Sequence, residues 1–244
     1  MGAQKFVHLS FPRHMSVYVL ARRRAIYKQA CMDLGLEFVD ETVPDPAGDN
    51  GPAGAQQQTY EMMPDLIKKY GKDAVYFTTN TALHEPIIKR VVELGALFVD
   101  TDDMSPVCGF PGALGLYLTD VAGDWPAIVK KIEADVVDKG EGGRLGLWPY
   151  SFTYCATPGL THLAMDMIEG KASDNTLKEI ENAFEAFTPG CDWKAAVFTY
   201  PDGRKLDNYY LLTMDTYICG QGYSGVLSEP FPEKYFSIDA EGLR

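Results

Sequence analysis

The chain has 244 residues, of which 46% are hydrophobic and 23% charged, as is typical of a globular protein with a full core. Its formal net charge of −12 argues against a nucleic-acid partner, because affinity for a phosphate backbone comes from clustered lysines and arginines. The sequence contains no apolar run of about 18 residues, so we expect no membrane span. Met1-Gly2-Ala3 leads straight into the first predicted strand, so we expect no signal peptide.

The first hundred residues alternate between strand and helix patterns. Strands are predicted over residues 5–10, 36–42, 74–79 and 96–100. Helices are predicted from an N-cap at Ser16 to residue 34, over residues 56–70 and over residues 82–94. Each helix is followed by a glycine that suits a helix end, and then by the next strand. This alternation is typical of βαβ units, and it predicts an α/β fold with a parallel, doubly wound sheet flanked by helices.

Beyond residue 103 the alternation becomes irregular. We predict a turn-rich crossing at residues 108–112, a short strand at 113–118, a helix at 125–139 and a strand at 145–148. Two helices at 158–169 and 176–186 precede a β-hairpin, whose strands 193–200 and 208–213 flank a Pro-Asp-Gly-Arg turn. No element is predicted from residue 220 onward. The sequence therefore divides into a βαβ lobe over residues 1–118 and a region over residues 119–244 that packs on it.

The loops that follow the strands of a parallel sheet gather at one edge, where ligands are commonly bound. An arginine in such a loop can hold a carboxylate or phosphate with paired hydrogen bonds, while amide and carboxylate groups recognise hydroxyls and amines. Aromatic side chains, among them Trp148 and Phe152, are candidates for the walls of the site. The predicted ligand-binding residues are Phe11, Arg13, His14, Asp45, Asn80, Asp102 and Tyr150.

The pair Arg13-His14 after the first strand also allows an enzymatic alternative. In the histidine phosphatases an Arg-His-Gly motif follows the first strand and its histidine becomes phosphorylated, whereas Met15 replaces the glycine here. That chemistry needs a second histidine, for which His84 at the start of the third helix is a candidate. In the other interpretation, His14 is a loop residue that is hydrogen-bonded to the backbone. We name no catalytic residue.

Other chemistries find little support in the sequence. No Gly-x-Gly-x-x-Gly follows the first strand, so we expect neither a nicotinamide nor a flavin cofactor. The acidic clusters do not match a calcium loop, and five scattered cysteines without a Cys-x-x-Cys pair favour free thiols, so no metal site is expected. The basic run Arg22-Arg23-Arg24 predicts a solvated helix face, and His8 within the first strand predicts a packed core histidine.

Several stretches of the sequence together resemble one family. They are Phe6-Val7-His8-Leu9-Ser10-Phe11-Pro12-Arg13-His14-Met15-Ser16, Leu20-Ala21-Arg22-Arg23-Arg24, the loop with Pro44-Asp45-Pro46 and Gly48-Asp49, Ala53-Gly54-Ala55-Gln56-Gln57, Lys69-Tyr70-Gly71-Lys72-Asp73, Thr79-Asn80 with Glu85-Pro86, and Phe110-Pro111-Gly112-Ala113-Leu114-Gly115. The resemblance covers most of residues 4–170. It is to an uncharacterised family of bacterial lipoproteins, a domain of unknown function that is similar to type 1 periplasmic substrate-binding proteins.

The resemblance implies a two-lobed fold that closes on a ligand, and an extracytoplasmic lipoprotein anchored to the membrane. It also implies an export signal and a first lobe ahead of Met1, so we expect this chain to be a truncated product or a fragment that begins at the second lobe. The expected function is non-enzymatic binding of a polar, anionic small molecule, with a membrane transporter or a sensor as partner. A ligand-sensing regulatory module is the alternative. Apolar faces that the first lobe would cover predict a homo-oligomer.

Overall fold

The computed structural model describes residues 1–99, 105–172, 176–225 and 232–241. Within them, the strands are β1 (Lys5–Ser10), β2 (Glu37–Thr42), β3 (Ala74–Thr78), β4 (Leu97–Val99), β5 (Leu145–Leu147), β6 (Trp193–Thr199), β7 (Lys205–Met214), β8 (Tyr217–Ile218) and β9 (Gly222–Tyr223). The α-helices are α1 (Pro12–Met15), α2 (Tyr18–Asp33), α3 (Gly51–Tyr70), α4 (His84–Leu94), α5 (Phe110–Leu114), α6 (Trp125–Asp138), α7 (Phe152–Ile168) and α8 (Leu177–Glu185). Short 3-10 turns lie at Thr81–Leu83, Thr119–Val121 and Glu233–Ser237.

A central sheet has the strand order β2-β1-β3-β4-β5-β8-β9 in the described part of the chain. The strands from β2 to β5 in this order are parallel, whereas β8 and β9 join antiparallel. Strands β6 and β7 form a separate antiparallel hairpin. The mixed α/β fold with a mostly parallel sheet is therefore confirmed, together with the predicted hairpin.

Alternating side chains of β1 show why the sheet is covered on both faces. Val7 and Leu9 are buried in a core formed with α3, α4 and α6. Phe6 and His8 face the other way: the Phe6 ring packs on Tyr27 of α2, and the His8 ring lies between those of Phe38 and Phe77. His8 is buried, as predicted, and its Nδ1 is 3.0 Å from Asp40 Oδ1.

A second hydrophobic cluster joins α7, α8 and the hairpin. Phe184 of α8 packs on Trp193 of β6 with ring centroids 4.8 Å apart, and the indole Nε1 of Trp193 donates to Thr188 Oγ1 at 2.8 Å. Trp125 at the start of α6 contacts both clusters. Because α6 and β5 belong to the first cluster, the central core extends beyond residue 118; the predicted division of the chain there stays a prediction.

Three predicted boundaries are wrong for identifiable reasons. Residues 113–118 do not form a strand, because α5 places Pro111 in its first turn and ends at Gly115, whose φ of 70° is left-handed. Ser16 is not the N-cap of α2, since Val17 occupies that position and Ser16 Oγ donates to the Arg13 carbonyl at 2.7 Å. Helix α7 begins at Phe152 and carries Pro158 in its interior, so this proline does not mark its start.

Other boundaries differ by less. Helix α3 begins at Gly51, five residues before its predicted start, with Pro52 in its first turn. The tail from residue 220, to which no element was assigned, contributes β9 and the 3-10 turn Glu233–Ser237. The glycines after α2, α3 and α4 all have positive φ, as the predicted helix ends require.

The three consecutive arginines of α2 do not form a solvated face, which corrects that prediction. Arg22 is buried at 7% exposure, and its guanidinium donates to three backbone carbonyls, those of Thr199 (2.9 Å), Phe236 (2.8 Å) and Ile238 (2.9 Å). Arg23 lies 5.5 Å from the Phe77 ring, and Arg24 pairs with Asp40. The run thus attaches α2 to the sheet, the hairpin and the C-terminal segment.

Candidate ligand-binding site at the edge of the sheet

The order of strand connections reverses at β1, because β2 lies on one side of β1 and β3 lies on the other. The candidate site lies at this reversal, where the chain leaves β1 and β3. In open α/β sheets ligands bind at this crevice, beyond the carboxyl ends of the strands. Leu9 is paired with Thr78, so Ser10 and Thr79 come next to each other at the edge. Their hydroxyl oxygens are 2.8 Å apart.

The one-turn helix α1 brings His14 back over this edge. Its Nδ1 lies 3.0 Å from Thr79 Oγ1, and its Nε2 lies 3.5 Å from Asn80 Nδ2. The Phe11 ring supports the imidazole from a centroid distance of 4.1 Å. Asn80 is fixed in turn, because its Oδ1 accepts a hydrogen bond from the Ala82 backbone N–H at 3.0 Å. The imidazole is therefore held by groups from two neighbouring loops.

Arg13 connects the loop after β1 to the loop after β2. Its Nε donates to Asp45 Oδ2 at 2.7 Å and its Nη2 donates to Asp45 Oδ1 at 2.8 Å. Asp45 Oδ1 also accepts a hydrogen bond from the Ala47 backbone N–H at 2.8 Å, which closes a tight turn in the second loop. The hydrogen bonds from Arg13, the largest influence, lower the pKa of Asp45 to about 2. The pair is consequently ionised at any physiological pH.

The electrostatics of the edge are close to neutral. Burial lowers the pKa of His14 below its usual 6.5, and the positive charge of Arg13 lowers it further, whereas Asp45 acts in the opposite direction. A neutral imidazole has one donor and one acceptor nitrogen. The edge thus combines hydroxyls, an imidazole, a carboxamide and a compensated ion pair, which are groups that can form hydrogen bonds with a polar molecule.

Five of the predicted site residues come together at this edge: Phe11, Arg13, His14, Asp45 and Asn80. Asp102 lies outside the described residues. Tyr150 is buried in the second hydrophobic cluster, where its hydroxyl donates to the Pro189 carbonyl at 2.9 Å. Trp148 and Phe152, the other candidate walls, pack in that cluster as well.

Sequence reasoning did not select Ser10 and Thr79 as site residues. Each is a hydroxyl side chain at the carboxyl end of a strand, and β1 and β3 were both predicted. Aligning these two strands in parallel would have placed the two hydroxyls next to each other. The signal was therefore in the register of the pair and not in a motif.

In the described ranges, no three His, Cys, Asp or Glu side chains are grouped so that they could hold a metal ion. All five cysteines are free thiols, as the sequence predicted. None of the helices described is both long and apolar enough to cross a membrane.

The strand order and the edge site define an α/β protein of the doubly wound class. The chain belongs to the family described as "Protein of unknown function (DUF3798)", whose model matches residues 1–146. A second family model matches residues 157–238. The candidate site lies wholly within the first match.

Two relatives are uncharacterized proteins of Treponema pallidum (strain Nichols). One is 33% identical over 145 residues, which are 59% of this chain and 65% of that protein. The other is 52% identical over 48 residues, which are 20% of this chain and 22% of that protein. The chain thus spans just under two thirds of the length of the first relative.

A solved structure from Clostridium difficile 630, which carries the provisional description of a transcriptional regulator, has a similar fold. The TM-score is 0.78 at 24% sequence identity, and the similarity covers 89% of this chain and 61% of that one. At this identity the similarity concerns the fold alone.

Proposed function

We propose that the edge formed by the loops after β1 and β3 binds a small polar molecule without chemical conversion, as a substrate-binding protein does. The observation that carries the proposal is the arrangement of His14, Thr79 and Asn80 at the reversal of strand order. The loops after β1 and β3 both contribute to it, so a bound molecule would contact residues that are far apart in sequence.

An anionic ligand is the finer part of this proposal, and Arg13 supports it. Half of the Arg13 side chain is exposed, and Asp45 uses the hydrogens on Nε and Nη2. A guanidinium has five N–H donors, so others remain for a carboxylate or phosphate of the ligand. Because Asp45 compensates the charge, we propose an acid that also carries hydroxyl or amine groups.

The phosphatase alternative receives less support from the geometry. Both ring nitrogens of His14, the candidate nucleophile, already face protein groups, since Nδ1 lies 3.0 Å from Thr79 Oγ1 and Nε2 lies 3.5 Å from Asn80 Nδ2. His84, the candidate second histidine, is buried, and its ring lies edge-on to Phe98 with centroids 5.6 Å apart. A nucleophilic histidine needs an acid or base within hydrogen-bond reach of the reacting group, and His84 is enclosed in the core instead.

A ligand-sensing regulatory module is the second candidate function. The fold similarity to the Clostridium difficile protein favours it, since that protein is provisionally described as a regulator. Binding at the edge is common to both candidates, and they differ in what the loaded protein contacts. We propose a membrane transporter or a sensor as that partner for the binding protein, as the resemblance to lipoproteins implies.

The test is a thermal-shift screen of the wild type against organic acids, phosphorylated metabolites, sugars and amino acids. A ligand at about 100 times its Kd stabilises the folded state by roughly 2.7 kcal/mol, which raises the Tm by several degrees in a domain of this size. We expect a shift that is lost in His14→Ala and Arg13→Ala.

The matched control is Arg24→Ala. Arg24 also donates to both oxygens of an aspartate, Asp40, but it lies in the middle of α2 and away from the edge. This variant should keep the ligand-induced shift. A shift that survives both edge variants would place the ligand elsewhere and contradict the proposal, as would turnover of a phosphate ester that depends on His14.

A further inference from the structure

An open cavity of about 590 Å³ lies on the side of the molecule formed by the hairpin, α8 and the C-terminal segment. Its floor is the stretch Ala195, Ala196 and Val197 of β6, and its walls include Leu177 of α8 and Phe236. The volume is within the range of about 300–1,000 Å³ that is usual for small-molecule sites. None of the residues of the edge site lines it.

Buried polar groups hold the walls of this cavity in place. Nη2 of Arg22 donates both to the carbonyl of Thr199, at the end of β6, and to the carbonyl of Phe236 in the wall. Glu181 is buried, and its Oε1 accepts a hydrogen bond from the Ala195 backbone N–H at 3.0 Å. The cavity is therefore bounded by elements that are tied to one another.

The charges around the cavity favour an anion. Lys194 and Lys205 line it, and no acidic side chain among the described residues lies within ion-pair distance of either ammonium group. Of the two lining carboxylates, Glu181 lies 3.7 Å from Lys178 and is compensated, which leaves Glu233. Two lysines against one glutamate leave a single positive charge, in a chain whose net charge is −12.

We propose that this cavity is a second binding site, for a small monocarboxylate with an aromatic or branched aliphatic body. The body would cover the apolar floor and contact Leu177 and Phe236, while the carboxylate would pair with Lys205. Lys205 is paired with Thr199, whose carbonyl shares the Arg22 donor with that of Phe236, whereas Lys194 lies five positions away along β6. Burial of the apolar surface supplies affinity, and the lysines supply the preference for an acid over a neutral analogue.

The experiment is calorimetric titration of the full chain with 2-naphthoate and with its neutral isostere 2-naphthamide. We expect saturable binding of naphthoate, at least about tenfold tighter than that of the amide, about tenfold weaker binding to Lys205→Gln, and a smaller loss in Lys194→Gln. Lys68→Gln, an exposed lysine on α3, is the matched control and should bind like the wild type.

A second variant tests the apolar wall without disturbing the core. Leu177 is the first residue of α8 and is partly exposed, and a glutamate there is favoured by the helix N-terminus, so Leu177→Glu should fold. It should lose naphthoate binding, because it places a carboxylate beside the ligand. Met32→Glu, at an exposed apolar position on α2, should not.

The outcomes also separate this site from the edge site. Binding that is unchanged in Arg13→Ala and lost in Leu177→Glu supports the second site. The proposal would be overturned by equal affinity for naphthoate and naphthamide, or by naphthoate binding that survives Leu177→Glu. It would also be overturned if Arg13→Ala alone lost naphthoate binding. If a valine-rich pentapeptide bound and neither naphthalene compound did, the proposal would be overturned, and the addition of a peptide strand along β6 would explain the result.

Discussion

Arg13 is already paired with the carboxylate of Asp45 when a ligand arrives. Substitution of Asp45 therefore tests how much this carboxylate weakens anion binding by Arg13. Asparagine at position 45 keeps the size and one acceptor oxygen but removes the negative charge that compensates the guanidinium. We therefore expect Asp45→Asn to bind small anions such as phosphate or acetate about tenfold more tightly than the wild type. Calorimetric titration of both proteins at low ionic strength measures this difference.

The control is Asp120→Asn, which removes an exposed carboxylate paired with Lys131 and far from β1 in the chain. It should leave anion affinity unchanged. The double variant Asp45→Asn/Arg13→Ala should lose the gain, because the gain depends on the guanidinium. An unchanged affinity in Asp45→Asn would show that Arg13 does not contribute to anion binding.

His14 should make folding stability depend on pH. Its pKa in the folded protein is lowered from 6.5, so the unfolded chain takes up a proton at a higher pH than the folded protein does. Stability from this group is therefore fully present above pH 6.5 and is lost as the pH falls toward the folded pKa. Urea unfolding of the wild type and His14→Gln across pH 5–8 should show their free energies of unfolding diverging at high pH and converging at low pH.

His162 provides the comparison for that experiment. It is partly exposed on α7, 3.7 Å from Asp166, and does not contact the edge. A His162→Gln variant should retain the decline in stability at low pH. If the stabilities of His14→Gln and the wild type depend on pH in parallel, the imidazole is equally protonated in the folded and unfolded states. The inference that the site contains a neutral His14 would then be wrong.

How much of the site the sequence could predict depends on the range of each interaction. Phe11, Arg13, His14, Asp45 and Asn80 were found because each follows a predicted strand, and parallel strands bring such positions to one edge. Tyr150 was included only as an aromatic near a strand end, and nothing local indicated that its hydroxyl would reach Pro189. The pairing of Arg13 with Asp45 spans 32 residues and depends on the conformation of two loops.

Among the helices, α8 has the clearest local sequence signal for its start, a capping box at its N-terminus. Thr176 accepts a hydrogen bond from the Glu179 backbone N–H, and the Glu179 carboxylate accepts one from the Thr176 N–H at 3.2 Å. Loss of such a cap costs about 1 kcal/mol, so Thr176→Ala should lower the free energy of unfolding by roughly this amount. Thr176→Ser keeps the oxygen and should stay close to the wild type in the same urea titration.

Arg22 is the strongest long-range connection between elements. Replacing it by alanine leaves three carbonyls without their donor, two of them in the C-terminal segment. Hydrogen bonds to charged groups contribute about 1.5–3 kcal/mol, so we expect Arg22→Ala to lower the free energy of unfolding by about 3 kcal/mol. Arg204→Ala, in the exposed hairpin turn, should change it by less than about 0.5 kcal/mol.

The same residue shows where prediction from sequence stops. Three adjacent arginines on a helix look like a solvated face, and only partners 177, 214 and 216 residues away reverse that interpretation. The parallel strands were predictable because their apolar runs and the glycines between them are local. The short strands β8 and β9 were not, because two residues each carry no pattern and their pairing is set by β5.

At the scale of the whole molecule, the exposed face of α7 is a candidate surface for self-association. Every exposed residue of this helix is uncharged, and Leu160, Met165 and Ile168 are more than half exposed. Contiguous exposed apolar residues usually mark an interaction surface. We expect the chain to associate with itself, and Leu160→Glu/Ile168→Glu to shift the equilibrium to the monomer in sedimentation velocity. A wild type that stays monomeric at high concentration would refute this.

The attachment of α2 by Arg22 also has a consequence for biosynthesis. A ribosome delivers about 5–20 residues each second, and the three carbonyls that Arg22 needs emerge long after the helix and most of the parallel sheet. Until then its guanidinium has to stay in water, because a buried unpaired charge is costly. We therefore expect α2 to pack against the rest of the protein last. In a nascent chain stalled at residue 198, a protease should cut within α2 while β3 stays protected.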